Sequence, residues 1–122
     1  MDEQIQKLLK DILNSISNIE LFCSSRPKEY QVFCEDRCFR SAVQWEIAII
    51  GEAMNRILKI NPNIPITSAR RIVDTRNYLI HGYDSLREDI IWAIVVRHLP
   101  LLKQEVLQLC ESSKSVFTFK SN

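Results

Sequence analysis

Glycine is almost absent from this chain: only Gly51 and Gly82 occur in 122 residues. Prolines are confined to positions 27, 62, 65 and 100. Few places remain where the backbone is made to turn, so the sequence reads as long helices with short connections. Long apolar runs are also missing. The longest, "IAII" at 47–50 and "IIWAIVV" at 90–96, fall far short of the roughly 20 residues that a membrane-spanning helix needs. The first residues, "MDEQIQ", are polar and acidic rather than signal-like, and the expected location is the cytoplasm. No charge of one sign dominates. Sixteen Lys and Arg against fifteen Asp and Glu leave +1, which excludes the broad basic surface of a general nucleic-acid binder but allows a local phosphate site. The four cysteines, Cys23, Cys34, Cys38 and Cys110, are too sparse for a disulfide framework. Cys34 and Cys38 would share a helix face, but no histidine lies near them, so they read as small thiols and neither metal nor cofactor is expected.

What is present is helical periodicity. Ile5, Leu8, Leu9, Ile12, Leu13, Ile16 and Ile19 recur at helical spacing and predict a helix over 2–23, ended by "SSRP" at 24–27. A short helical piece over 29–33 leads to a second long helix, 35–59, with the stripe Phe39, Val43, Ile47, Ile50, Met54 and Ile57. Gly51 inside it costs about 1 kcal/mol relative to alanine, which points to a close approach by another backbone. "NPNIP" at 61–65 ends this helix. A third starts near Thr67 or Ser68, either able to cap it. A fourth is expected from Ser85, where Ser85 and Glu88 fit a capping box. Pro100 falls inside the fourth and predicts a kink or a restart. The last residues, "ESSKSVFTFKSN", show no helical pattern. The expectation is therefore all-α: an antiparallel bundle of four to five helices over residues 1–110, with a frayed, flexible tail over 111–122. A core this small would gain from self-association.

One stretch carries chemistry, "RNYLIHGYD" at 76–84. At about 100° per residue, Arg76 and Tyr83 share a face, and Asn77 and His81 share another, within reach of each other. Gly82 can accept the left-handed conformation that closes many helices, so that Arg76, His81 and Tyr83 could converge. A structural account competes: a histidine near a helix C-terminus, a half-buried tyrosine and a surface arginine are each common.

The pattern Arg76, four residues, His81, one residue, Tyr83 resembles the R-x4-H-x-Y motif of the HEPN superfamily. More closely, the chain is similar to the HepT-like toxins of prokaryotic toxin–antitoxin pairs. The resemblance extends to "IIGEAMNRI" at 49–57, where Gly51, Glu52 and Asn55 match a family signature. It also includes "IIWAIVVRHLPLLKQEV" at 90–106, with Trp92 and Leu99-Pro100 in place. It implies a HEPN-like homodimer and a metal-independent endoribonuclease with Arg76, His81 and Tyr83 as catalytic residues. Asn77, Glu52 and Asn55 would be supporting. It further implies a type VII-like toxin–antitoxin system, in which a minimal nucleotidyltransferase antitoxin transfers AMP from ATP to Tyr83.

The residue types suit this chemistry. RNA supplies its own 2′-hydroxyl nucleophile. Histidine moves protons near neutral pH, and a guanidinium pairs with phosphate oxygens through two parallel bonds. One motif histidine per chain leaves acid and base to be shared, which a two-fold dimer could provide. Asp84, Glu88 and Asp89 fit N-terminal charges of the fourth helix better than metal ligands, and His98 lies outside the motif. Two other readings stay open: a HEPN-like module that binds a nucleotide or RNA without cutting it, and a plain structural helical dimer.

Overall fold

The computed structural model describes residues 2–82 and 87–121, with side chains to residue 112. Its described residues are helical apart from short connections, and none forms a strand. The elements are α1 Glu3–Ser24, α2 Tyr30–Glu35, α3 Arg37–Ile60, α4 Ala69–His81, α5 Glu88–Ala93, a π-helical turn Ile94–His98, and α6 Leu99–Ser121. The last three run on without a break, so the chain is a five-helix bundle. Helix α3 is central, with α1 and α4 packed on different sides of it; α6 lies against α1, and short α2 touches α3 and α5.

Each start has a local cause. Asp2 accepts from the backbone N–H groups of Gln4 (2.7 Å) and Ile5 (3.2 Å) and opens α1. Asp36 accepts from Phe39 N (2.9 Å) and opens α3. Its other oxygen takes Arg26 Nε at 2.9 Å, and the Arg26 guanidinium lies 5.0 Å over the Phe39 ring. These bonds hold the Asp36 carboxyl below the usual carboxylate range, Phe39 N–H first and Arg26 second.

The core joins the expected stripes. Ile5, Leu8, Leu9, Ile12, Ile16 and Ile19 of α1 are buried with Phe39, Val43, Ile47, Ile50, Met54 and Ile57 of α3. They meet Ile72 and Leu79 of α4 and Ile91, Ile94, Val95, Leu99, Leu102 and Val106 of the last helix. Ile64 and Ile66 bury the connection over 61–68 as well, which folds α4 back antiparallel along α3. Gly51 is where they meet. A Cβ there would lie 2.2 Å from Arg76 Cβ and 3.0 Å from the Ile72 carbonyl oxygen. The close approach inferred from the sequence is thus made by α4, with Arg76 itself seated on the glycine.

Three local expectations are corrected, and one is met. Neither Thr67 nor Ser68 caps α4 with its side chain: Ser68 holds the N-cap position without accepting a hydrogen bond. Thr67 is drawn away because its N–H and hydroxyl both donate to Glu105 Oε2 of α6, at 3.0 and 2.8 Å. The fourth helix opens at Glu88, with Arg87 at the N-cap position. Ser85, the expected cap, lies outside the described residues, as do Tyr83, Asp84 and Leu86. The restart expected near Pro100 is present: a π-helical turn over Ile94–His98 interrupts the helix, and the α-helix resumes at Leu99, directly before Pro100. Its missing N–H and its ring are accommodated one turn earlier, where the backbone widens into the π-turn. Finally, the fading apolar pattern after Cys110 does not end the helix: α6 reaches Ser121, and no glycine or proline follows Pro100 to stop it.

Replacing Gly51 by alanine should raise helix propensity yet destabilise the protein, because the added methyl overlaps Arg76 Cβ. A net loss of about 1–3 kcal/mol is expected, read as a lower urea midpoint. An unchanged or higher midpoint would show that α3 and α4 do not meet at Gly51.

Candidate functional site

The edge where α4 crosses α3 gathers charge. Arg76 is held against α3 by its Cβ on Gly51, and its guanidinium is only 27% exposed as a side chain. Its Nη2 lies 3.0 Å from Glu52 Oε2, and its Nη1 donates to Asn77 Oδ1 at 3.0 Å. The other Glu52 oxygen, Oε1, lies 3.2 Å from Arg56 Nε, one helical turn further along α3. Glu52 therefore stands between two guanidiniums. Arg76 Nε is buried without a hydrogen-bond partner among the described residues. That donor is unspent, and an anion meeting the guanidinium edge-on through Nε and Nη would use it.

Arg56 is a member of this cluster that the motif reading missed. Its signal was present: Glu52 and Arg56 are four apart on a helix, the spacing at which side chains of opposite charge meet.

His81 is the last residue of α4 and is exposed. Five residues, or about 140° of rotation, separate it from Arg76. Among the described residues it does not join the Arg76–Glu52 network, and the expected contact with Asn77 is not formed, because the Asn77 amide oxygen serves Arg76 instead. Asn55 is half-buried on α3 and also stays outside the network. Tyr83 lies outside the described residues. Gly82 does not take the left-handed conformation expected of it: it ends α4 at φ −110° and ψ 21°, with its N–H donating to the Tyr78 carbonyl. A side chain there would meet Tyr78, with Cβ 2.9 Å from the carbonyl oxygen and 3.3 Å from ring Cδ1. Glycine thus serves close packing rather than a special φ. The Tyr78 hydroxyl accepts from Arg87 N at 2.7 Å, which ties the start of α5 back to α4 beside His81.

The other histidine differs in kind. His98 is half-buried in the π-turn, with Nε2 3.5 Å from Arg71 Nη1. Burial, then Arg71 and Arg97, hold its pKa below the ordinary value of 6.5. Among the described residues no three His, Cys, Asp or Glu side chains group as ligands for a metal ion. No described helix is long and apolar enough to cross a membrane.

Comparison with known proteins identifies the fold's relatives. The family model described as "Ribonuclease HepT-like" matches residues 12–109. The chain belongs to the HepT-like family. A Methanocaldococcus jannaschii protein named "Putative RNase MJ1380" is 32% identical over 106 residues, covering 84% of this chain and 93% of that one. "Probable ribonuclease HepT" of Thermococcus cleftensis is 32% identical over 99 residues, 78% of this chain and 86% of its own length. In another M. jannaschii protein, "Gamma-glutamylcyclotransferase and putative RNase MJ0434", the match spans 91% of this chain but half of the relative. The HepT-like unit therefore also occurs joined to other sequence. No solved structure matches.

The His98 environment has a pH consequence. Its folded pKa lies below its unfolded value, so the unfolded chain binds more protons between the two, and stability falls as pH drops through that window. The melting temperature should decrease below about pH 6.5, and His98→Gln should remove part of that decrease. An identical pH profile in the variant would show that His98 titrates freely.

Proposed function

We propose that the protein is a metal-independent endoribonuclease of a toxin–antitoxin pair, with Arg76 and His81 as its catalytic residues. The observation that carries this reading is the seat of Arg76. A cation fixed by Gly51, Glu52 and Asn77 within one helical turn and a half of an exposed histidine is a phosphate-binding group beside a proton carrier. The family, and the names of the relatives above, support an RNA substrate.

The chemistry follows from those groups. One His81 accepts the 2′-hydroxyl proton as that oxygen attacks the adjacent phosphorus. The bond from phosphorus to the 5′-oxygen breaks, and the leaving oxygen takes a proton from an acid. The products are a 2′,3′-cyclic phosphate end and a 5′-hydroxyl end. Arg76 meets the non-bridging oxygens as negative charge builds on them, through rigid donors that lysine would lack. His81 lies about 140° around α4 from Arg76, so a homodimer in which His81 of the partner subunit faces the same cleft supplies both acid and base. The Glu52 carboxylate aims Arg76 and prevents it from straying into solvent. Tyr83 completes the motif and is the acceptor of AMP from a nucleotidyltransferase antitoxin. Phosphates added to Tyr83 would bring negative charge to the motif and repel RNA.

The purified protein should cut single-stranded RNA in the presence of a chelator. His81→Ala and Arg76→Ala should each lose on the order of 100-fold or more in rate. Both should keep their helical circular dichroism: alanine at 76 retains the Cβ that packs on Gly51, and His81 is exposed. Full activity in His81→Ala would sink the mechanism, and activity abolished by chelator and restored by a divalent ion would redirect it to a metal. A module that only binds RNA would depend on Arg76 and ignore His81.

A second experiment addresses Tyr83. After incubation with the antitoxin and ATP, wild type should gain whole AMP increments on the 76–84 segment and lose activity. Tyr83→Phe should cut RNA no more than about tenfold more slowly, the loss of one hydrogen bond, and should not be silenced. Silencing of Tyr83→Phe, or increments elsewhere, would refute the modification.

A further inference from the structure

The two tryptophans are used in opposite ways. Trp92 packs into the core, 5.0 Å from the Phe33 ring and 6.2 Å from Phe39. Trp45 packs into nothing comparable. It is 67% exposed, more than any other large apolar side chain among the described residues.

Its place on α3 links it to the charged edge. Seven residues separate Trp45 from Glu52, two helical turns, so the two lie on one line of the helix surface about 10 Å apart. Arg56 continues that line. Ile49, one turn from Trp45, lines with Glu52 and Arg56 an open groove between α1 and α3 of about 440 Å³, whose α1 side and far end carry the carboxylates Asp11 and Glu46. The antiparallel packing of α4 sets the level. Gly51 lies against Arg76; six residues back along α3 is Trp45, and five forward along α4 is His81. Both steps cover about 7.5–9 Å in the same direction, which brings the indole level with the histidine end of α4. Ile80, exposed and one turn on from Arg76, extends the apolar surface at that level.

We infer that Trp45 is a stacking platform for a base of single-stranded RNA, flanking the phosphate held at Arg76. The inference rests on the ribonuclease reading and adds a substrate contact to it. A single arginine–phosphate contact releases few counterions and gains little by itself. An open indole supplies affinity without charge. It also does so without sequence preference, because every base has a stacking face. The platform holds the base beside the cut while the arginine holds the phosphate, so binding energy from one orients the other.

The test uses the wild-type protein and a single-stranded 2′-O-methyl oligoribonucleotide, which has no free 2′-hydroxyl and cannot be cut by the proposed route. Titration should quench the long-wavelength tryptophan emission that an exposed indole contributes. The same titration of Trp45→Phe should leave the remaining Trp92 emission unchanged. Trp45→Ala should weaken binding by about 5- to 100-fold and Trp45→Phe by less, the range expected for removing one stacked base. The deficit should persist at high salt, where phosphate contacts fade. Quenching equal in wild type and Trp45→Phe, or equal affinity in Trp45→Ala, overturns the platform. So does a loss of dimer in sedimentation of Trp45→Ala, which would assign the indole to a contact between copies. Cleavage of ordinary RNA, measured alongside, keeps the two proposals apart. Normal cutting by Trp45→Ala refutes the platform alone, whereas quenching without any cutting by wild type leaves the platform and removes the ribonuclease.

Discussion

The contact of α4 with α3 at Gly51 is the constraint on which the rest depends. Without a side chain at 51, Arg76 Cβ and the Ile72 carbonyl sit where a methyl group would be. The helices then approach closely enough for Ile72 and Leu79 to complete the core on one side. On the other side they bring the Arg76 guanidinium to Glu52. Packing and electrostatics are coupled through a single missing Cβ. A larger residue would separate the helices and, by the same displacement, take the arginine from its carboxylate.

That coupling explains how a nearly neutral protein can carry a defined cationic site. Glu52 lies between Arg56 and Arg76, at 3.2 and 3.0 Å. The carboxylate lowers the repulsion between the guanidiniums and fixes their orientation. An exposed pair of this kind adds little to stability. Its value is positional: it restricts the rotamers of a long side chain that would otherwise sample solvent. The Arg87 N–H donating to the Tyr78 hydroxyl ties the start of α5 to α4.

The last helix shows how one residue type takes two characters from its surroundings. The widened turn before Pro100 places His98 against Arg71 and partly out of water, and both influences disfavour its charged form. His81 is instead the exposed last residue of α4. The aromatic residues divide similarly: Phe33, Phe39 and Trp92 form one cluster behind α2 and α5, while Trp45 faces outward.

Much of this was legible from residue order. Apolar spacing located α1 and α3 to within two residues at each end, because a helix repeats every 3.6 residues and the buried stripe must repeat with it. Gly51 announced a close approach because nothing else justifies glycine inside a helix. The Glu52–Arg56 pair was readable from a spacing of four. Contacts between distant segments were not readable. That Gly51 faces Arg76, that Asn77 turns to Arg76 and not to His81, and that Thr67 leaves its helix for Glu105 depend on how helices lie across one another. Those positions are set by the summed packing of the core, and short-range sequence carries no record of it. Local chemistry thus determined which segments are helices. Tertiary packing alone decided that Glu52 of α3 meets Arg76 of α4, twenty-four residues further along the chain.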